Sequence, residues 1–289
     1  MLRDSNLKTF NLYDYLKNQN AHSSEVPYFL ADQNTYKSAG IAFPFRTFAY
    51  GVGISYSGKG DLFKIGSADY IVKSGCLTTI GPGMVCQWTG TYSAMHDTIY
   101  FTENLFTHML SGTFLQSFPF LFPGGNHVIQ LNKEQVNLTQ SLFKSMKAFQ
   151  KEESVMAGLV YSLLMLVNSF HSTLAARTIS PGTSNRENIV RSFRQLVAAH
   201  FQVQKGVDYY ASSLNITPKY LSEVLLSQTG KSAKTHIGDF IFMEAKSLLK
   251  QTNMSIQEIC YWLGYEDAAY FARTFKKWAG LTPSAYREG

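Results

Sequence analysis

Two short segments near the C-terminus carry charged and hydroxyl side chains at helical spacing. The first segment provides Lys219, Ser222 and Glu223, and the second provides Arg273, Lys276 and Lys277. Side chains three or four residues apart lie on one face of a helix. Lysine and arginine bind guanine edges or phosphate oxygens, and glutamate accepts a hydrogen bond from the cytosine amino group. These residues therefore predict non-covalent recognition of DNA, with a solvated charge or an internal ion pair as an equal alternative for Glu223.

The first segment lies in a pattern that predicts a short helix, a tight turn and a second helix. The first helix is predicted over residues 207–214, Thr217 caps the second, and Pro218 stands where no backbone donor is lost. The buried face of the second helix is predicted to contain Leu221, Val224 and Leu225. A helix-turn-helix reads bases with the first turns of its second helix. The candidate DNA contacts are Thr217, Lys219, Tyr220, Ser222 and Glu223.

The same pattern recurs closer to the C-terminus. Residues 256–263 predict the first helix of this second unit, and Asp267 caps its second helix. The packing residues of that helix are predicted to be Tyr270, Phe271 and Phe275. Arg273 is the one long polar side chain placed to reach a base, and an alanine methyl can pack on a thymine methyl. The candidate DNA contacts are Ala268, Ala269, Ala272, Arg273, Lys276 and Lys277.

A longer helix is predicted between the two units, over residues 234–251. Its apolar residues lie on one face, and at ~1.5 Å per residue its length is roughly 27 Å. One turn of DNA is ~34 Å, and half-sites read by paired helices have this spacing. The sequence therefore predicts that one helix holds two reading helices against successive major grooves.

The N-terminal part is predicted to be rich in strands. Aromatic and β-branched residues recur over residues 40–125, with glycine-containing turns every 8–12 residues or fewer. This composition is typical of a β-sandwich or a small barrel. Strands are predicted at residues 48–56, 61–65, 70–73, 76–80, 84–88 and 94–101.

A pair of helices is predicted to follow these strands. Asn132 and Gln135 form a capping box before the first helix, and the second covers residues 153–173. The second helix is apolar on more than one side, so it needs more than one packing partner. Core packing within one chain and a homodimer interface are equally supported.

Composition and charge indicate a soluble, cytoplasmic protein. The formal net charge is +6, of which +4 falls in residues 181–289. The three cysteines are Cys76, Cys86 and Cys260, an odd number without metal-type spacing, which fits a reducing compartment. The N-terminus lacks a signal-peptide pattern, and the apolar run at 159–170 is too short to span a bilayer.

Residues 186–289 resemble the DNA-binding domain of the AraC/XylS family of transcription regulators. The matching stretches are residues 214–230, 244–249, 256–259, 263–277 and 280–287. The sequence departs from the family where Ala269 and Ala272 replace the usual serine and Leu226 replaces a frequent lysine. The arginine that many members carry near Phe240 is also missing here. These departures affect the pattern of DNA contacts rather than the fold.

The resemblance implies an α+β protein of two domains. Residues 1–174 would form a cupin-like β-barrel with a helical pair, which senses a ligand or dimerises. Residues 175–185 would be a linker, and residues 186–289 an all-α domain with two helix-turn-helix units. Cys86 and Gln87 stand where metal-binding cupins usually carry a histidine, and His96 has no second histidine nearby. Because these residues lack metal-ligand spacing and form no Ser/His/Asp or Cys/His arrangement, the sequence predicts no metal, no cofactor and no catalytic residue.

A ligand pocket is predicted in the N-terminal domain, lined by Phe45, Arg46, Trp88 and Tyr100. Arg46 would suit a carboxylate or a phosphate. The alternative is that the aromatic residues are simply part of the core.

The leading hypothesis is a sequence-specific transcription regulator, more often an activator than a repressor. Its partners would be double-stranded promoter DNA, RNA polymerase, a possible small-molecule effector and a second copy bound through residues 153–173. One alternative is a cupin enzyme domain fused to a DNA-binding module. Another is an architectural DNA binder that needs no ligand.

Overall fold

The computed structural model describes residues 27–32, 34–35, 43–58, 60–89, 95–107, 114–177 and 183–288. Within these residues, two β-sheets and a pair of helices precede an all-helical C-terminal half. The strands are β1 Tyr28–Asp32, β2 Phe45–Arg46, β3 Tyr50–Ser55, β4 Asp61–Ile65, β5 Ala68–Val72, β6 Cys76–Ile80, β7 Val85–Thr89, β8 His96–Phe101 and β9 Val128–Gln130. The helices are α1 Lys133–Ala148, α2 Glu153–Arg177, α3 Thr183–His200, α4 Val207–Ser213, α5 Pro218–Thr229, α6 Ala233–Gln251, α7 Ile256–Trp262, α8 Ala268–Ala279 and α9 Pro283–Glu288.

The strands pair in two antiparallel sheets. One sheet has the order β1-β8-β3-β6-β9 and the other the order β2-β7-β4-β5. The central strand β3 is buried along its whole length, whereas β5 alternates between buried and exposed side chains because one of its faces meets solvent. Among the described residues the two sheets share no ladder of hydrogen bonds, which corrects the expectation of a closed barrel. The edge strands β2 and β9, of two and three residues, are too short to close one.

The helical pair α1 and α2 packs against the five-stranded sheet. Asn132 caps α1 as predicted, since its side chain accepts from Gln135 N at 2.9 Å and Gln135 Oε1 accepts from Asn132 N at 3.0 Å. The fully buried residues of α2 are Met156, Val160, Leu163, Leu164 and Val167. By length and composition alone, residues 153–174 would also qualify as a membrane span, a test that core helices pass too.

The C-terminal half has a hydrophobic core of its own. Phe193, Tyr210, Phe271 and Phe275 have no exposed surface, and they come from α3, α4 and α8. Burying large aromatic side chains provides much of the stabilisation of a domain of this size. All the helices from α3 to α9 are thereby held in one unit.

Helices form both ends of the segment that connects the two halves. Helix α2 extends to Arg177 and α3 begins at Thr183, so helices occupy both ends of the predicted linker 175–185. Residues 178–182 lie outside the described residues. Ser184 and Glu187, whose residue types and spacing resemble a helix cap, lie inside α3 instead.

Candidate nucleic-acid interface

The first helix pair consists of α4 and α5 and has the predicted geometry. The turn between them contains Asn215 with φ of 55°, a left-handed conformation that asparagine tolerates better than most residues. Thr217 Oγ1 accepts from Tyr220 N at 3.2 Å, which confirms the predicted cap of α5. The helix ends at Gly230, whose φ is 72°. The buried side of α5 contains the predicted Leu221, Val224 and Leu225.

The candidate contacts on α5 lie at the surface of its first turns. Thr217, Lys219 and Glu223 are exposed, and Tyr220 and Ser222 are half-buried. No ion pair to Glu223 forms within the described part of the chain. Thr217 is committed to the helix cap, so its side chain positions α5. The structure thus leaves Lys219, Ser222 and Glu223 as neighbours on one accessible surface.

The second helix pair consists of α7 and α8. Ser255 and Glu258 form a capping box at the start of α7. The turn after α7 needs glycine at position 264, because a Cβ there would lie 1.7 Å from the carbonyl oxygen of Gln202. Asp267 caps α8, and its carboxylate accepts from Ala269 N at 2.6 Å and Tyr270 N at 3.0 Å. Hydrogen bonds from these two amides, Tyr270 N first, lower the pKa of Asp267.

The candidate contacts on α8 are also accessible. Ala269, Arg273, Lys276 and Lys277 are exposed, and Ala268 and Ala272 are half-buried. Phe271 and Phe275 are fully buried, as predicted. The packing role predicted for Tyr270 is wrong, because 53% of its surface is exposed. The centre of its ring lies 6.0 Å from that of Tyr265. Sequence spacing placed Tyr270 beside Phe271 in the core, but residues adjacent in a helix point about 100° apart.

Helix α6 separates the two pairs and is buried to an unusual degree for a spacer. It has 19 residues, which at ~1.5 Å per residue give about 28 Å. Ser232 caps it by accepting from Thr235 N at 3.2 Å. Its fully or nearly fully buried residues are Ala233, His236, Ile237, Ile241, Met243, Glu244, Ala245, Ser247, Leu248, Leu249 and Gln251. The polar members of this set indicate that α6 contacts more than a hydrophobic core.

Those polar residues of α6 bind the N-terminal half. The guanidinium of Arg46 forms an ion pair with Glu244, whose side chain is 1% exposed. Gln251 binds the backbone of Arg46 on both sides: Oε1 accepts from Arg46 N at 2.5 Å and Nε2 donates to Arg46 O at 3.1 Å. Burial lowers the pKa of Arg46 to about 10, which leaves the guanidinium charged at neutral pH. These hydrogen bonds and this ion pair hold strand β2 against helix α6.

A second set of contacts lies at the other end of α6. His236 Nδ1 is 3.0 Å from Ser67 Oγ, in the turn between β4 and β5. Lys231 Nζ lies 2.8 Å from Asp69 Oδ2 and 2.7 Å from Asp239 Oδ2, so one cation bridges both halves. In the same turn, a Cβ at Gly66 would come within 2.9 Å of the Phe240 ring. Sequence reasoning missed this interface, since its partners lie far apart in the chain.

Three of the four residues predicted to bind a ligand lie around one cavity, and the fourth lies elsewhere. Phe45, Trp88 and Tyr100 line one cavity of about 50 Å³ between the sheets, together with hydroxyl groups of Ser55, Thr78 and Thr98. Arg46 does not line it, because its side chain points to Glu244 instead. Trp88 Nε1 is buried without a hydrogen-bond partner among the described residues. The lining of the cavity is thus largely apolar with a few hydroxyl groups, and it includes Trp88, whose indole donor is unpaired among the described residues.

The described residues contain no group of three or more histidine, cysteine or acidic side chains able to hold a metal ion. The cysteines Cys76, Cys86 and Cys260 are buried and unpaired.

Comparison with known proteins finds one family model that overlaps both helix pairs. A family model for a helix-turn-helix domain matches residues 210–289. The arabinose operon regulatory protein of Escherichia coli strain K12 is 30% identical over 136 residues, and the match covers 45% of this chain and 46% of the relative. The C-terminal part of this chain is therefore similar to the helix-turn-helix domain of AraC-type transcription regulators. The helix-turn-helix family model begins at Tyr210, within α4, and includes α5, the spacer α6 and the pair α7–α8.

Two further comparisons find similarity to a regulator and to a solved domain. The uncharacterized HTH-type transcriptional regulator YtdP of Bacillus subtilis strain 168 is 26% identical over 173 residues, which cover 56% of this chain and 21% of that protein. The solved C-terminal domain of AraT, a response regulator from Geobacillus stearothermophilus, is 33% identical. That alignment covers 38% of this chain and 87% of the domain, with a TM-score of 0.34. The chain spans less than half of the length of the two curated relatives.

Proposed function

We propose that this chain binds promoter DNA in a sequence-specific manner and regulates transcription, as an activator. The observation that carries the proposal is the pair of capped, accessible helices α5 and α8 on one domain, joined by a single buried spacer. A relative named as an operon regulatory protein supports the same role. Such a regulator acts in the cytoplasm through binding and not through catalysis.

In this proposal α4–α5 and α7–α8 are two helix-turn-helix units. Helices α5 and α8 enter successive major grooves, since the length of α6 is comparable with one DNA turn of ~34 Å. Lys219, Ser222 and Glu223 read bases from α5. From α8, Arg273 reads a base and Lys276 and Lys277 bind phosphates. The first unit therefore contributes more of the sequence preference and the second more of the affinity.

Arg273→Ala tests this assignment most directly. The DNA is a duplex taken from the strongest site in a genome-wide map of bound positions, and affinity is measured by fluorescence anisotropy. Loss of a base contact should weaken binding by roughly 1–3 kcal/mol and relax the sequence preference. Lys276→Ala should instead weaken all duplexes alike and reduce the slope of log affinity against log salt by about 1.

The matched control is Arg186→Ala, because Arg186 is exposed on α3 and lies outside both reading helices. Its affinity should equal that of the wild type. If Arg273→Ala bound every duplex as tightly and as selectively as this control, Arg273 would have no reading role.

The N-terminal half is proposed to act as a sensor and a dimerisation module. The cavity with the unpartnered Trp88 Nε1 suits a small effector that offers a hydrogen-bond acceptor within an otherwise apolar body. Two exposed apolar residues of α2, Val155 and Met165, suit a homodimer interface through residues 153–173. An activator of this kind also contacts RNA polymerase. Effector or dimer contacts would change which arrangement of α5 and α8 is populated.

A further inference from the structure

A cleft runs between the N-terminal half and α3, and it is separate from both the sheet cavity and the reading helices. It consists of a cavity of about 160 Å³ that adjoins an open one of about 640 Å³. Tyr70, Gly124 and Arg194 line both, so the two are continuous around Arg194. The loop at Gly124 closes one side, because a Cβ there would be 2.7 Å from Arg191 O on α3.

Three polar atoms in this cleft are buried without a hydrogen-bond partner among the described residues. They are Arg194 Nε, His127 Nε2 and His171 Nε2. Arg194 and His127 line the smaller cavity, and Arg194 and His171 line the larger one. A buried donor or acceptor that is left unpaired destabilises the folded protein. Three of them around one cleft indicate a site that a ligand completes.

The protonation states define what that ligand must offer. Burial, with the positive charge of Arg194 acting in the same direction, lowers the pKa of His127 to about 4, and burial alone lowers that of His171 to about 4. Both imidazoles are therefore neutral at pH 7. His127 Nδ1 lies 3.1 Å from the carbonyl oxygen of Phe120, which only accepts, so Nδ1 carries the proton. His127 Nε2 is consequently an acceptor that awaits a donor.

The charges around the cleft favour an anion beside Arg194. Arg194 forms no ion pair within the described ranges, whereas Arg46 and Glu244, which line the smaller cavity, neutralise each other. Glu187 and Arg191 are exposed at the rim of the larger cavity, where they offset each other. A planar surface is also available, because the ring of His171 stacks on Phe120 at 4.6 Å.

We propose that this cleft binds a small organic anion that carries a hydroxyl group, of the hydroxycarboxylate or sugar-phosphate class. The guanidinium of Arg194 binds the acidic group, and His127 Nε2 accepts a hydrogen bond from the hydroxyl. Tyr70 and His127 belong to the N-terminal half and Arg194 belongs to α3. The bound anion thus bridges the two halves and stabilises their present arrangement.

Two matched pairs of probes test the full-length protein by isothermal titration calorimetry without DNA. Lactate is compared with propionate, and glycerol 3-phosphate with propyl phosphate, so each pair contrasts the presence and absence of hydroxyl groups. We expect at least one hydroxylated probe to bind at least ten-fold more tightly than its partner. The stronger pair decides between a carboxylate and a phosphate ligand. Equal affinities within both pairs would overturn the role of His127.

Variants of Arg194 and His127 test whether the probe binds in this cleft. Arg194→Gln should weaken the preferred probe at least ten-fold, and Arg194→Lys, which keeps the charge but loses Nε–H, should restore part of the affinity. His127→Asn keeps a donor for the Phe120 carbonyl but removes the acceptor, so it should abolish the preference for the hydroxyl group. The control Arg186→Gln should bind like the wild type, and circular dichroism checks that each variant folds.

If no probe distinguishes the wild type from both Arg194 variants, ordered water satisfies these atoms and the proposal is wrong. Because the titrations contain no DNA, this outcome is independent of the DNA-binding function. Conversely, if the chain bound the anion but no promoter DNA, the proposed anion site would stand and the proposed DNA binding would be wrong.

Discussion

The carboxylate of Asp267 positions α8, the second of the two proposed reading helices. Its side chain accepts hydrogen bonds from Ala269 N and Tyr270 N at the first turn of α8. A negative charge at this end of a helix also interacts favourably with the helix dipole. The residues that follow, up to Arg273, are oriented by this cap. Losing it would therefore affect both the stability of α8 and the geometry of DNA contact.

The pH dependence of stability reports on this cap. The pKa of Asp267 is lowered below its ordinary value of 3.8, so its contribution is complete above that value and is lost as pH falls through the folded-state pKa. We expect Asp267→Asn, which caps without titrating, to track the wild type above pH 5. Between pH 4 and pH 3 the wild type should lose stability relative to that variant. Urea unfolding midpoints measure both, and parallel curves down to pH 3 would contradict this prediction.

At the scale of elements, α6 has two functions that meet at Glu244. Its apolar residues hold the two helix pairs together, while its polar residues hold β2 against the C-terminal helical domain. Breaking one partner of a buried ion pair leaves an uncompensated charge, which costs more than the pair itself contributes. Arg46 retains 20% exposure of its side chain, so water reduces this cost.

Glu244→Gln should consequently lower the free energy of unfolding by about 2 kcal/mol, measured by chemical denaturation. Replacing both residues, as Arg46→Met with Glu244→Met, should recover most of that loss because no charge is then left unpaired. Glu223→Gln is the control, since Glu223 is exposed and unpaired in the described part of the chain. If Glu244→Gln were as stable as this control, the ion pair would not fasten α6.

Local signals predicted most elements, and long-range contacts explain what was missed. The caps at Asn132, Thr217 and Asp267 and the strands β4 and β6 depend on neighbouring residues, and all five were predicted. The ends of α6 were predicted to within one residue for the same reason. Strand β2 has only two residues, and its role depends on partners 198 and 205 positions away. No periodicity in the sequence encodes such pairings.

The candidate functional residues also differ in whether the sequence could predict them. The exposure of Lys219, Glu223 and Arg273 follows from helical spacing once the caps are known. The assignment of Arg46 to the effector pocket was based on residue type and neighbours alone, and its tertiary partner Glu244 could not be inferred. The orphaned atoms of Arg194 and His127 likewise become meaningful only when both halves are placed together.

At the scale of the molecule, each half has a core of its own. The fully buried apolar cluster around α1, α2 and the larger sheet lies within residues 50–170, and that of the helical domain lies within residues 189–275. The contacts that join the halves at α6 include several polar ones. Independent cores are what two separately folding domains require.

The fragment 186–289 should therefore fold alone and bind promoter DNA as a monomer, whereas the full chain should be a dimer. The fragment keeps the caps, α6 and both reading helices, and it lacks the proposed dimer helix at residues 153–173. Circular dichroism, sedimentation equilibrium and anisotropy measure folding, assembly and DNA binding. In the full chain, Met165→Lys should give a monomer, because Met165 is 46% exposed on α2 and a charge there opposes apolar contact. An unfolded fragment would show that the helical domain depends on the N-terminal half, and a dimeric Met165→Lys chain would place the dimer interface elsewhere.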